Sequence, residues 1–231
     1  MLKKTAPNAK HLRFAVLATD TALFTLREGE LMVRLIKVNR PPHYDDVWGL
    51  PGGLIRPEET AEETAVRILE AKGGISAAKI YTEQLATFSA LARDPRGRVV
   101  AVAYLALVSW DELSTSEQRD TGEVRWCRVR AARHLAYDHD DMLSVARARL
   151  RSRIQYSTLI SKLMPDEFTL TELEKAYESI IKTDLDKRNF RKKILKLGVL
   201  KALPYKRSLG RARPAQLYRF AASGVVEIEV I

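Results

Sequence analysis

The sequence predicts an α+β chain in two parts: a mixed β-sheet with helices packed on it, followed by a basic winged helix-turn-helix. Three observations predict this. Apolar, β-type runs separated by turn signals fill the first half of the chain. One capped and glycine-terminated helix interrupts them. Beyond about residue 140 the pattern turns helical, and the excess positive charge gathers at the end.

Taken in order, FAVLATDTALFTL, ELMVRLIKV, IYTEQLATFSAL, VVAVAYLALVSW and EVRWCRV are rich in Val, Ile, Leu, Tyr, Phe and Thr and read as strands. Glu28–Gly29 and Asp94–Pro95–Arg96–Gly97 read as hairpin turns between neighbouring strands. Glu59 to Lys72 reads as a helix stopped by Gly73–Gly74. From Asp140 to Met164 a long helix is expected, with Met142, Val145, Leu150, Ile154, Leu159 and Leu163 as its apolar positions. The division expected is a first domain over 1–140, a connecting helix over 141–164 and a terminal domain over 165–231.

The terminal domain has its own grammar. Thr169 and Glu172 stand at capping-box spacing and start a helix near Leu170, whose apolar face is Leu173, Ala176, Tyr177, Ile180 and Ile181. Asp186 caps a second helix ended by Gly198, with Phe190, Ile194 and Leu197 turned inward. Lys187, Arg188, Asn189, Arg191 and Lys192 are left on its outer, N-terminal side. VLKALPYKRSLGRARPAQLYRF then reads as strand, basic loop and strand. Helix, turn, basic helix and hairpin make a winged helix-turn-helix.

Charge supports that reading. The net charge is +10 over 231 residues. Residues 1–150 hold 22 Lys and Arg against 20 Asp and Glu, while residues 151–231 hold 17 against 9. Between Lys182 and Arg219 there are 13 basic residues and only two acids, Asp184 and Asp186. Such a stripe suits the phosphates of duplex DNA. An α-helix fits the major groove, where Arg and Lys reach guanine and Asn pairs with adenine. The loop arginines Arg207, Arg211 and Arg213 are placed to meet phosphate or enter the minor groove. A charged dimerisation or lid domain is the competing interpretation. A single cysteine, Cys127, excludes an intrachain disulfide framework. The longest apolar run, Val99 to Val108, is ten residues, too short to span a bilayer. No signal peptide is evident, and a cytoplasmic protein is expected.

The stretch WGLPGGLIRPEETAEETAVRILEAKGGI, Trp48 to Ile75, carries the chemistry. Glycines 52 and 53 permit close backbone approach to phosphate, and Arg40 and Arg56 flank the loop as candidate phosphate partners. Arg67 is expected to organise the loop through Glu59, and Trp48 to pack rather than stack on a base. Gly53, Glu59, Arg67, Leu69, Gly74 and Ile75 resemble the Nudix box G-x5-E-x7-R-E-U-x-E-E-x-G-U in register over 23 positions. That resemblance implies an α/β/α sandwich and a ligand built on a nucleoside diphosphate. The positions where Nudix hydrolases place their metal-binding glutamates are Ile68, Ala71 and Lys72. Mg²⁺ needs hard oxygen ligands, and that face offers none. Glu63 and Glu70 remain as a conceivable substitute pair, and the four histidines offer no metal site. Little or no hydrolase activity is therefore expected, with no catalytic residue, no bound metal and no required cofactor. Lys72 either places an ammonium where hydrolases place metal or simply complements the helix dipole.

A degenerate Nudix domain ahead of a basic winged helix resembles the Nudix-related transcriptional regulators (NrtR) over nearly the whole chain. FTLTELEKAYESII, LDKRNFRKKIL and GRARPAQLYRF look like the DNA-binding segment of that family, and DPRGRVVAVAYLAL like the strand pair of its ligand domain. The family implies a homodimeric bacterial repressor of NAD metabolism genes on a palindromic operator, controlled by ADP-ribose or a related nucleotide. A regulator of sugar catabolism and a Mg²⁺-dependent pyrophosphatase acting on ADP-ribose are the alternatives. In either regulator, effector and DNA must oppose or support each other by one shared factor, with the Asp140–Met164 helix as the lever between domains.

Overall fold

The computed structural model describes residues 14–208 and 214–228. Arg211 and Arg213 therefore lie outside the described residues. The first strand, β1 (Val16–Arg27), turns through Glu28–Gly29 into β2 (Glu30–Arg40). Arg27 pairs with Glu30, so the loop is two residues long, with φ of 53° at Glu28 and 78° at Gly29. Two positive φ values match the right-handed twist of the strands, and glycine adopts one without strain. Further along, β2 pairs with β3 (Tyr44–Gly49) on one side and β7 (Val124–Arg128) on the other. Strand β1 also pairs antiparallel with the short β4 (Gly52–Leu54) and, over Val16–Phe24, parallel with β6 (Val99–Leu107). The edge strand β5 (Tyr81–Phe88) joins β6 through the loop containing Asp94–Pro95–Arg96–Gly97. The result is a mixed seven-stranded sheet.

Alternation along the strands sorts the core into two layers. Leu23, Met32 and Ala106 face the helix α1 (Ala61–Ala71) through Leu69. Their neighbours Ala22, Phe24, Val33, Leu35, Leu105 and Leu107 face the opposite side, where α3 (His139–Tyr156) packs Met142, Leu143, Ala146 and Leu150. Helix, sheet and helix thus form the three layers the Nudix resemblance implies. A short helix, α2 (Thr115–Gln118), closes the end of the α1 side. At the N-terminus of α1, Thr60 and Glu63 form a reciprocal capping box, so the helix begins two residues after Glu59.

Two expectations need correction. Val145 does not point inward and is 40% exposed, because α3 turns its apolar stripe through Met142, Ala146, Leu150 and Ile154. Nor does the helix run to Met164. It ends at Tyr156, and Ser157 is extended, with φ −152° and ψ 166°. The chain is drawn out of the helix by the C-terminal segment: Ser157 bridges Glu227, Thr158 donates to Val226, and Ile228 donates to Tyr156. A 3₁₀ turn, Thr158–Lys162, follows.

The terminal domain has the expected grammar. Thr169 and Glu172 form the capping box of α4 (Leu170–Ile181). Asp186 caps α5 (Lys187–Lys196) by accepting from the Asn189 amide. Between them Lys182 takes the left-handed conformation, and Gly198, also at positive φ, turns the chain into β9 (Leu200–Arg207). The hairpin partner β10 (Ala215–Phe220) also pairs with the two-residue β8 (Phe168–Thr169), which makes a three-stranded wing sheet. Leu173, Tyr177, Phe190 and Ile194 close the core between these elements, and that core is continuous with the α3 side of the large sheet.

Candidate functional site

A cavity of about 280 Å³ opens where β1, β2 and β4 meet the loop after β5 and the start of α3. Lys37, Arg40, Lys72, Arg93 and Arg96 line it, against the carboxylates Asp20 and Asp94. Five cations face two anions there, and Asp138 adds a third carboxylate on Arg93, so the lining keeps a net positive charge. Of the residues singled out from the sequence, Arg40, Gly52, Gly53 and Lys72 line this cavity.

Both glycines have a steric reason. A Cβ on Gly52 would stand 1.9 Å from Asp20 Oδ1, and one on Gly53 would stand 2.5 Å from Ile68 Cδ1. The loop therefore lies hard against β1 and α1. Lys72 reaches across this contact, its Nζ donating to Gly52 O at 2.8 Å. Partial desolvation, aided by Arg40, holds the Lys72 ammonium below the usual lysine range, while Asp20 acts the other way. Ile68 is buried against the loop.

Arg56, Glu59 and Arg67 do not line the cavity but brace its floor. Arg67 grips Glu59 with two bonds, Nε to Oε1 at 2.5 Å and Nη2 to Oε2 at 2.7 Å, and also donates to Leu54 O. Thr64 donates to the same carboxylate, and Arg56 lies 3.6 Å from it. The Arg67 hydrogen bonds are the chief reason that Glu59 is held at about 2, well below the ordinary carboxylate value. Two other acids of the motif are occupied too. Glu63 caps α1, and Glu70 accepts from the Ala77 amide. Among the described residues no group of three or more His, Cys, Asp or Glu is arranged to hold a metal ion. Trp48 packs at the rim of the core beneath Arg125, whose guanidinium carbon lies 4.1 Å from the ring centroid.

Sequence reading missed half of the cavity wall. Arg93, almost wholly buried, donates to Asp20 at 3.1 Å and to both oxygens of Asp138 at 2.8 and 2.9 Å. His139 Nδ1 accepts from the Leu50 amide at 2.9 Å, which leaves Nε2 to face Asp20 Oδ1 at 3.3 Å. Burial would raise the Asp20 carboxyl, but His139 and Arg93 outweigh it and hold it below the usual range. Arg96 is clamped by Asp94 and lies over the Tyr137 ring at 5.4 Å. One signal was available: Asp20 is the only charge in an otherwise apolar strand run, and such a carboxylate must have a partner.

At the other end of the molecule, α5 exposes Lys187, Arg188, Asn189 and Lys192 on one side. Asn189 donates its side-chain amide to Asp186 at 2.8 Å. Arg191 turns back onto α4, gripping the buried Glu174 at 2.7 and 2.9 Å and bonding Thr171. Arg207 lies on the wing but is tied to Glu172 and to the Glu167 carbonyl. Two of the basic residues read as DNA contacts thus hold the domain together in this structure.

Sheet, phosphate loop and basic reader define a Nudix domain carried on a DNA-binding winged helix. Family models agree: the NUDIX domain matches residues 15–147, and the NrtR DNA-binding winged helix domain matches residues 160–220. The chain is 37% identical to the ADPR responsive transcriptional repressor NtrR of Acinetobacter baylyi, over 89% of this chain and 82% of that one. It resembles the crystal structure of Shewanella oneidensis NrtR complexed with a 27mer DNA, with 32% identity, a TM-score of 0.76, and coverage of 88% and 93% of the two chains. The Nudix domain of the same Shewanella protein, solved with ADP ribose, is 32% identical with a TM-score of 0.52, covering 62% of this chain and 93% of that one. The chain belongs to the NrtR family of transcriptional regulators.

Proposed function

We propose that this chain is a repressor whose grip on operator DNA is set by ADP-ribose, or a closely related nucleotide, bound in the cationic cavity. The observation that carries the proposal is Lys72. Its ammonium sits on the Gly52 carbonyl, inside the loop–helix motif where a Nudix hydrolase holds metal. A diphosphate placed there meets fixed positive charge from Lys72, Arg40 and Arg96, with no ion to activate water. Mg²⁺ does not fit the donors present, because Ile68 is apolar and Glu59, Glu63 and Glu70 are engaged elsewhere. Sensing is thus independent of metal and does not consume the effector.

In this reading residues 1–140 sense, 141–164 connect and 165–231 read DNA. Lys187, Arg188, Asn189 and Lys192 face the major groove, while Arg191 and Arg207 hold the reader in shape. The loop arginines Arg211 and Arg213 add phosphate contacts. The chain acts as a homodimer on a palindromic site, in the cytoplasm, upstream of genes of NAD metabolism. Among the described residues no helix is long and apolar enough to cross a membrane.

The test is titration of the full chain onto duplex DNA from upstream of its own gene cluster, with and without ADP-ribose and with EDTA present. A shift in affinity under metal-free conditions is expected. Rapid Mg²⁺-dependent turnover of ADP-ribose together with indifference to every duplex would establish the pyrophosphatase reading instead.

A further inference from the structure

The first residues of α3 are built into the wall of the effector cavity. Asp138 stands at the N-cap of α3, where an aspartate ordinarily accepts from first-turn amides. Here it makes no such bond. Both of its oxygens are taken by Arg93, at 2.8 and 2.9 Å. The N-cap side chains of α1, α4 and α5 all bond their own first turns. Asp138 is withheld from its helix by a buried arginine that lines the cavity. That arginine is shared with Asp20, so one guanidinium balances two carboxylates. The chain entering α3 is also wound unusually tightly: His134 and Tyr137 have φ of 56° and 57°, in the left-handed region that non-glycine residues rarely adopt.

We propose that Arg93 is an effector-binding residue and Asp138 its displaceable counter-ion, and that this exchange carries ligand occupancy into α3. A phosphate that takes hydrogen bonds from Arg93 brings a third negative group to a guanidinium already serving two. Asp138 is the partner that can leave, because the Asp140 amide in the first turn of α3 has no acceptor among the described residues, whereas the His139, Asp141 and Met142 amides already donate to backbone carbonyls. Asp20 is fixed between β1 and His139 and, among the described residues, has no partner besides His139 and Arg93. Once capped by Asp138, the first turn of α3 settles differently against the cavity. The same helix packs Leu150 and Ile154 into the core that holds Leu173, Ala176 and Tyr177 of α4. A change at His139 is therefore felt by the domain that carries α5. The element has two arrangements, and both ligand and DNA bias it.

This inference rests on the reading that the cavity binds ADP-ribose, and the test separates the two. Asparagine caps helices as well as aspartate but lacks the charge that Arg93 holds. Asp138→Asn is therefore expected to bind operator, without effector, as weakly or as strongly as the unaltered chain does when saturated with ADP-ribose. Its own response to ADP-ribose is expected to collapse, although ADP-ribose still binds by calorimetry. Allosteric couplings typically run from about 5-fold to about 150-fold. A variant whose coupling factor stays above the square root of the unaltered chain's overturns the relay. Should the variant not fold, the unaltered chain decides by hydrogen exchange. The peptide covering Asp138 to Met142 is expected to exchange more slowly with ADP-ribose bound, and unchanged or faster exchange overturns the relay. An unaltered chain that fails to bind ADP-ribose overturns the functional reading, and the relay with it.

Discussion

On the proposed reading, Lys72 is a single side chain that changes what the loop–helix geometry can do. An ammonium and a magnesium ion both neutralise a diphosphate, but only the ion polarises water for attack. Lys72→Glu reverses a charge in the cavity wall and leaves Ile68 where it was, so it cannot by itself recreate a metal site. Metal-free calorimetry is expected to show ADP-ribose affinity falling by about tenfold or more, a loss of at least about 1.4 kcal/mol. Unchanged affinity would remove Lys72 from the binding account. Glu59 and Arg67 give a second test at this scale. With its carboxyl held at about 2, Glu59 favours the folded state fully above its ordinary value of 4.5, and that contribution fades as the pH falls towards 2. The melting temperatures of the parent and Arg67→Gln should therefore differ by a constant amount above about pH 5 and converge in strong acid. A gap that persists near pH 2 would mean that Arg67 stabilises the loop through Leu54 rather than through Glu59.

Helix α5 divides its basic residues between two tasks. Lys187, Arg188 and Lys192 stand free in solvent, whereas Arg191 is bound to a buried carboxylate. Arg188→Ala is expected to weaken operator binding and to lower the slope of log affinity against log salt by about 0.9, one phosphate contact. Arg191→Ala should instead leave Glu174 buried and unpaired, at a cost on the order of 1–3 kcal/mol, reduced by the solvent that reaches the arginine. Thermal melting reads that cost as a drop of several degrees, with the salt slope kept. The opposite pattern, a lower slope with unchanged melting, would return Arg191 to the DNA surface. The same contrast explains what the sequence made legible. Thr169, Glu172 and Asp186 act on amides three residues away, so spacing alone located both helices. The loop and helix of the Nudix box were legible because their residues are a contiguous motif. Arg93 was not, since its partners Asp20 and Asp138 lie 73 and 45 residues away, and no local pattern records such a meeting. Strand β4 escaped for a related reason: it is three residues long and held mainly by its place against β1.

On the α3 side of the sheet, the two halves of the molecule share one apolar core, separate from the smaller cluster under α1. Phe24 and Leu35 of the sheet, Met142 and Leu150 of α3, Tyr177 of α4 and Phe190 of α5 belong to a single buried cluster. A reader joined to its sensor by a flexible tether would feel ligand only through distance. Here any reorientation of the reader must repack side chains, and packed interiors favour a few discrete arrangements over a continuum. The shared core also predicts how the chain unfolds. The reader cannot detach while the sensor stays folded without exposing apolar surface from α3 and α4 together. Calorimetry of the full chain should therefore show one cooperative transition, with equal calorimetric and van't Hoff enthalpies. Addition of ADP-ribose should raise that single transition by mass action, so that a probe on α5 reports a ligand bound beside α3. Two separated transitions, with only the upper or the lower one moved by ADP-ribose, would show that sensor and reader are energetically independent and that coupling must then arise from dimer geometry alone.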